Sequence, residues 1–287
     1  MLTWSRAAVV KARIAPLYVK ADEDTELADE VLHGMVVEVA DAVCDRAFVR
    51  VRTHYGYEGF ARRGDLVFDD RLVQMWQEAE KSTIFHAAVD VLKVPKVQAG
   101  RVCLLTHGCE IVRLQDEEDG WTRVRAMDGS EGFLRTEHAG RHVQMLANNA
   151  WKTFSPLEEQ AFRQSLAEAA LAYKQSGTQY RWGGKTPEGI DCSGLCSMAY
   201  MLNGVLICRD ARMEEGFPVK PTAQLSEPYK TGDLLYFPGH IAMSLGGSRF
   251  IHATEVGNGV CINSLDKTEA DCRADLADSL LAVGSVF

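Results

Sequence analysis

From the N-terminus to about residue 68, apolar and polar positions alternate in short runs broken by turn residues, as in Met35-Val36-Val37-Glu38-Val39 and Phe48-Val49-Arg50-Val51-Arg52. A period of two sends alternate side chains to a buried face and to water, so this stretch is predicted to be all-β. The pattern then returns. Phe48-Val-Arg-Val-Arg, three residues, and Gly-x-Glu-Gly-Phe60 recur without a gap as Trp121-Thr-Arg-Val-Arg through Phe133, and Leu32-His33-Gly34 is answered by Thr106-His107-Gly108. Self-similarity at domain length indicates tandem modules, and two small β-barrels are expected over residues 1–68 and 85–146. In the joint, residues 69–84, Leu72, Met75 and Trp76 recur at helical spacing with charges opposite, which predicts a connecting helix. Trp76 and Trp121 sit where a helix or barrel needs a large apolar side chain and are expected in the core.

Beyond residue 147 the period changes. Ser155-Pro156-Leu157-Glu158 supplies an N-cap, a proline at the first helical position and an acidic first turn. A helix is predicted over about 156–175, with Phe162, Leu166, Ala169, Ala170 and Tyr173 on its buried face and Gly177 ending it. The remainder alternates helix and strand. The expected class is α+β: two small β-barrels followed by a third domain over 147–287.

Composition narrows the function classes. The 287 residues, 46% hydrophobic with 8 Pro, suit a folded globular chain. The formal charge of -9 disfavours nucleic acid and anionic lipid as partners. Arg6, Lys11, Arg13 and Pro16 interrupt the N-terminal stretch before any apolar run of signal length, and no 18-residue apolar run follows. A cytoplasmic location, without membrane association, is therefore expected. The eight cysteines, at 44, 103, 109, 192, 196, 208, 261 and 272, are expected as thiols.

Chemistry concentrates after Tyr180. A glycine-rich loop delivers Asp191 as N-cap to a helix predicted over Cys192–Asn203 and closed by Gly204. Cys192 thus falls in the first helical turn, where unpaired N–H groups and the macrodipole favour thiolate. Pro238-Gly239 places His240 at the head of a strand, and His252 lies on the next. Cys192 as nucleophile, His240 as base and His252 as orienter make a triad in thiol form. The competing reading joins Cys192, Cys196, His240 and His252 as a zinc site. It is disfavoured because Cys-x3-Cys within one helix is tight and Cys196 falls in an apolar run. His138 and His142 lack an acidic third ligand and are expected in a surface loop, while His33, His54, His86 and His107 are expected to be solvated. Neither metal nor organic cofactor is expected.

Six blocks stand in order: Tyr180-Arg-Trp-Gly-Gly184, Asp191-Cys-Ser-Gly194, Ile207-Cys-Arg-Asp-Ala211, Thr231-Gly-Asp-Leu-Leu-Tyr-Phe237, Gly239-His-Ile-Ala-Met-Ser-Leu-Gly246 and Phe250-Ile-His-Ala253. Together they resemble the NlpC/P60 family of papain-like cysteine peptidases across residues 155–287. With two SH3-like (SH3b) domains in front, the chain resembles the γ-D-glutamyl-L-diamino acid endopeptidases of murein-peptide recycling. The resemblance implies a papain-like α+β catalytic domain and a murein peptide substrate, L-Ala-γ-D-Glu-diamino acid, cut after γ-D-Glu. Whether Lys or diaminopimelate follows is left open. It carries Cys192, His240 and His252 over as the catalytic residues, and Tyr180, Trp182, Asp191, Ser193, Arg209 and Asp210 as the substrate-binding set. Tyr57 matches a pocket tyrosine of the family's first SH3b domain, where the second copy has Ser130. Asp191 is expected to receive the free L-Ala amine, with Glu26 and Glu30 as further acidic candidates, and the Cys192 N–H and Tyr180 hydroxyl to meet the oxyanion. Ile241 replaces the usual valine after the base, and Cys208 a common proline. Two other readings stand beside this one: the same triad acting on another amide or acyl acceptor, and a binding protein whose barrels recognise cell-wall or Pro-rich peptides.

Overall fold

The alternating pattern of the N-terminal half forms two antiparallel sheets. The computed structural model describes residues 3–40, 47–116, 118–146, 150–223, 225–226 and 228–287, so Cys44 lies outside the described residues. It divides into two compact units, Met1–Val143 and Gln144–Phe287. In the first unit, β1 (Trp4–Val10), β2 (Ile14–Tyr18), β3 (Leu27–Leu32), β4 (Val36–Ala40), β5 (Phe48–Thr53), β6 (Glu58–Arg62) and β7 (Leu66–Val67) are ordered β3-β2-β6-β5-β4-β1-β7. The second sheet holds β8 (Lys81–Thr83), β9 (Val89–Leu92), β10 (Arg101–Leu105), β11 (Glu110–Asp116), β12 (Trp121–Arg125) and β13 (Glu131–Arg135), ordered β10-β9-β13-β12-β11-β8.

Apart from β7 the two orders are the same, strand for strand. Register repeats as well: Arg50 faces Phe60 as Arg123 faces Phe133, and the Arg50–Glu58 and Arg123–Glu131 ion pairs are both 2.7 Å. The sequence repeat is therefore a topological repeat. Among the described residues no ladder joins the edge strands of either sheet, so the expected barrels are seen as two open sheets.

The connecting helix α1 (Asp70–Glu78) is N-capped by Asp69, whose Oδ1 accepts the Leu72 N–H at 3.0 Å. It buries Val73 and Trp76, while Leu72 and Met75 are exposed, so the apolar stripe is rotated from the expected one. Trp76 sets this rotation. Its indole N–H donates to the Gly34 carbonyl at 2.9 Å, and its ring packs with Val9, Val112 and Met127 from both sheets. Trp121 is also buried.

His33 is not solvated but buried at the same junction. Its Nδ1–H donates to the Lys11 carbonyl at 2.8 Å and its Nε2 accepts the Met127 N–H at 3.1 Å. Its own carbonyl accepts the Glu110 N–H at 2.9 Å. A side chain with two polar ends bridges backbone groups that a hydrophobic contact would leave unpaired. His107, its counterpart in the repeat, is buried too. Burial, with His86 nearby, pushes His107 down to about 4. The unfolded chain takes up a proton near pH 6.5 that the folded chain refuses until about 4, so stability is full above pH 6.5 and falls as the pH drops. His107 alone contributes on the order of 3 kcal/mol to that loss. The thermal midpoint of the wild type is expected to fall between pH 7.5 and 4.5, and to fall less in His107→Asn. An equal fall in both would remove His107 as the cause.

In the second unit, α2 (Pro156–Gln175) begins with a capping box in which Ser155 and Glu158 exchange hydrogen bonds. A short hairpin, β14 (Lys185–Thr186) and β15 (Gly189–Ile190), leads into α3 (Cys192–Met201). The main sheet holds β16 (Lys220–Pro221), β17 (Leu234–Phe237), β18 (His240–Gly246), β19 (Arg249–Thr254), β20 (Gly259–Ser264) and β21 (Ala282–Ser285), ordered β16-β21-β17-β18-β19-β20, with α4 (Ala274–Ala277) between β20 and β21. Leu195, Cys196 and Ala199 are fully buried on α3, which packs on β18 and β19. That packing brings α3 onto the strands carrying His240 and His252.

Candidate active site

The start of α3 is held by a polar cluster. Asp191, its N-cap, accepts the Gly194 N–H at 2.6 Å through Oδ1 and the Gly183 N–H at 2.8 Å through Oδ2. Arg209, 3% exposed, clamps the same carboxylate bidentately at 3.0 and 3.1 Å and also donates to Ser193 Oγ at 2.8 Å and the Gly184 carbonyl at 3.3 Å. Gly194 permits this close approach, since a Cβ there would lie 2.2 Å from the Gly184 oxygen. The glycine-rich loop, the helix start and the 207–211 block are thereby tied together around Cys192.

Cys192 is 8% exposed, and its sulfur accepts backbone N–H groups from Ser193 and from Ile241, the residue after His240. The sulfur therefore sits at the head of β18. These two donors favour thiolate, as expected of a helix start, but burial and the Asp191 charge outweigh them and push the thiol up to about 11. The resting group is a neutral thiol rather than the thiolate that helix position suggested.

Met243 pairs with Ile251, which leaves His240 and His252 on one face of β18–β19 as diagonal neighbours. His240 Nε2 lies 2.8 Å from His252 Nδ1, with the rings edge to face at 5.1 Å. His252 Nε2 in turn lies 3.0 Å from Asn263 Oδ1 on β20. Burial pushes both imidazoles down to about 4, helped at His240 by His252 and at both by Arg273. They are neutral at physiological pH. Tyr180 flanks the site, bridged to Ile190, and burial plus the nearby Cys192 and Asp191 hold its hydroxyl up at about 12, so it remains a donor.

The structure thus brings Cys192, His240, His252 and Tyr180 into one site. It also brings Asp191, Ser193 and Arg209 together, but onto one another. An incoming ammonium would meet an Asp191 carboxylate whose charge Arg209 already balances, which weakens Asp191 as an amine receptor. Asp210 pairs with Arg212 at 2.5 Å nearer the surface, and Trp182 is 60% exposed in the loop before the hairpin. Tyr57 belongs to the first unit, in the turn before β6, where its backbone N–H donates to Thr53 Oγ1 at 3.0 Å. Glu26 is exposed and Glu30 buried in that unit. Cys196 is a fully buried packing thiol, and among the described residues no three His, Cys, Asp or Glu are grouped to hold a metal.

Asn263 was missed by sequence reasoning. Its signal is present in the register: His252 faces Cys261 across the β19–β20 hairpin, so Asn263 is the diagonal neighbour on the same face.

A neutral thiol, an adjacent neutral imidazole and a second imidazole orienting it can carry out nucleophilic attack on an amide with general acid–base assistance. Comparison with known proteins agrees with this chemistry. The family model described as "NlpC/P60 family" matches residues 177–274. The chain is 41% identical over 283 residues to the "Dipeptidyl-peptidase 6" of Lysinibacillus sphaericus, covering 98% of this chain and 99% of that protein. It is 34% identical over 104 residues to the "Murein DD-endopeptidase MepH" of Escherichia coli, covering 33% of this chain and 38% of that protein. The crystal structure of an NlpC/P60 family protein from Bacillus cereus shares the fold at a TM-score of 0.73 and 17% identity, over 96% of this chain and 98% of that one. With a relative matched along nearly its whole length and the family model spanning Cys192, His240 and His252, the chain belongs to the NlpC/P60 family of peptidases.

Proposed function

We propose that this protein is a cysteine endopeptidase that hydrolyses the γ-D-Glu to diamino-acid bond of murein peptides with a free N-terminal L-Ala. The observation that carries the reading is the Cys192 sulfur held by the Ile241 N–H beside His240, which is itself hydrogen-bonded to His252 at 2.8 Å. Cys192 attacks the γ-carbonyl as His240 takes the thiol proton. The Cys192 backbone N–H, at the first position of α3, and the Tyr180 hydroxyl meet the oxyanion. His240 then protonates the departing amine, and water, deprotonated by His240, releases the acyl group.

The substrate rests on the resemblance and on two relatives. One is named for releasing dipeptides, which fits L-Ala-γ-D-Glu as product, and one for acting on murein. In this reading the two repeated sheets of the first unit are SH3b modules, and Tyr57, Glu26 and Glu30 enter only through the resemblance. The reaction is placed in the cytoplasm, where a thiol nucleophile stays reduced.

Mass spectrometry of products from L-Ala-γ-D-Glu-diaminopimelate, run beside the N-acetylated peptide, tests the reading. Release of L-Ala-γ-D-Glu from the free-amine peptide alone is the expected result. Equal cleavage of both peptides removes the amine requirement, and cleavage of neither turns the reading toward another amide or a binding role.

A further inference from the structure

We propose that Asn263 fixes the tautomers of both active-site histidines and so keeps His240 Nδ1 free to accept the Cys192 proton; the proposal rests on Cys192 and His240 being nucleophile and base. The argument follows hydrogen-bond polarity from one end of a chain to the other. Asn263 Nδ2 donates at 3.0 Å to the Asp271 carbonyl, which can only accept. That carbonyl is held in place because it also accepts the Ser264 N–H, while the Arg273 N–H returns to the Ser264 carbonyl at 2.9 Å. The opposite amide orientation would set two acceptor oxygens against each other, so Oδ1 is the atom that faces His252.

Oδ1 can only accept, so His252 carries its proton on Nε2 and presents a bare Nδ1. The 2.8 Å contact then requires His240 to donate through Nε2, which leaves His240 Nδ1 unprotonated. When Nδ1 takes the thiol proton, His240 becomes an imidazolium that keeps its Nε2–H bond, and nothing else in the chain moves. The reversed tautomer of His252 would oblige His240 Nε2 to accept. Its proton would then sit on Nδ1, and the base would be blocked.

Asn263 acts through His252 and is a positioning residue. The charged groups that act on both rings are Arg273, which disfavours their protonation, and Asp275, which favours it, both at the start of α4, while the Cys192 sulfur lies against the Ile241 N–H, one residue beyond His240. Asn263→Asp adds a carboxylate that still accepts from His252 Nε2 but favours the protonated ring. Asn263→Leu keeps the volume and removes the acceptor.

Long-range proton–nitrogen NMR of the wild type is expected to show both rings protonated on Nε2, and needs no substrate; an Nδ1–H on either neutral ring overturns the proposal. Asn263→Leu is expected to lower kcat roughly 10–100-fold with KM unchanged, and to slow iodoacetamide alkylation of Cys192. Asn263→Asp is expected to move the acid limb of kcat/KM upward by about one pH unit. Wild-type alkylation rates and tautomers in Asn263→Leu overturn the proposal even if the peptide substrate is a different one. Should Asn263→Leu fail to fold, the wild-type tautomers decide.

Discussion

Cys192→Ala is expected to lower kcat for peptide hydrolysis by roughly 10^4-fold or more, since removing one member of a nucleophile–base unit costs nearly as much as removing the unit. The thermal midpoint should change little. The truncation removes one sulfur at the edge of a buried helix start, and the Asp191 cap and the packing of Leu195, Cys196 and Ala199 are untouched. Cys192→Ser should be nearly as inactive. Its hydroxyl is a weaker acid than the thiol, and His240, held down to about 4, is too weak a base to compensate. Product mass spectrometry beside a thermal melt checks both halves. Residual hydrolysis within tenfold of wild type in Cys192→Ala would remove Cys192 as nucleophile.

Arg209→Met is expected to destabilise the protein by about 3–5 kcal/mol, the usual cost of leaving one partner of a buried ion pair uncompensated. At this chain length that is a fall of roughly 6–20 °C in midpoint. Asp191 would keep the Gly183 and Gly194 N–H donors but lose the bidentate guanidinium, and the 207–211 block would lose its tie to the Gly184 loop. Asp191→Asn keeps an N-cap but strands Arg209. The double substitution removes both charges, so its loss should be smaller than the sum of the single losses by 1 kcal/mol or more, on the order expected for coupled neighbours. Additive losses in a denaturant or thermal cycle would show that the pair is not the coupling element. Activity should fall with Arg209→Met as well, because the clamp holds the helix turn that presents Cys192.

The local elements were legible where a single stretch of chain carries all the information. Ser155-Pro156-Leu157-Glu158 specifies a capping box within four residues, and α2 begins and ends at the predicted positions. The repeat was legible because a duplicated set of alternations dictates a duplicated strand order, down to the Arg50–Glu58 and Arg123–Glu131 pairs. Asp191 as a cap and Cys192 in a first turn follow from helix-start chemistry alone.

Other features depend on what comes from elsewhere in the chain. The rotation of α1 is not legible in the sequence because Leu72, Met75 and Trp76 share a stripe, and the Gly34 carbonyl selects the Val73–Trp76 face. The burial of His33 is hidden from the sequence because its two backbone partners, Lys11 and Met127, are far from it along the chain. Helix position predicted a thiolate at Cys192, but the desolvation that reverses this arises only when α3 is pressed onto β18 and β19.

By itself the sequence determined the elements, the duplication, and which side chains bear reactive groups, because these follow from spacing, caps and residue chemistry read over a few turns or strands. Tertiary structure alone decided which polar groups meet. Register across β18, β19 and β20 aligns His240, His252 and Asn263, and burial then sets their charge. Arg209 reaches Asp191 across an 18-residue separation to neutralise it. A hydrogen bond requires atoms about 3 Å apart, and residues distant in the chain reach that separation only through the packing of the core between them.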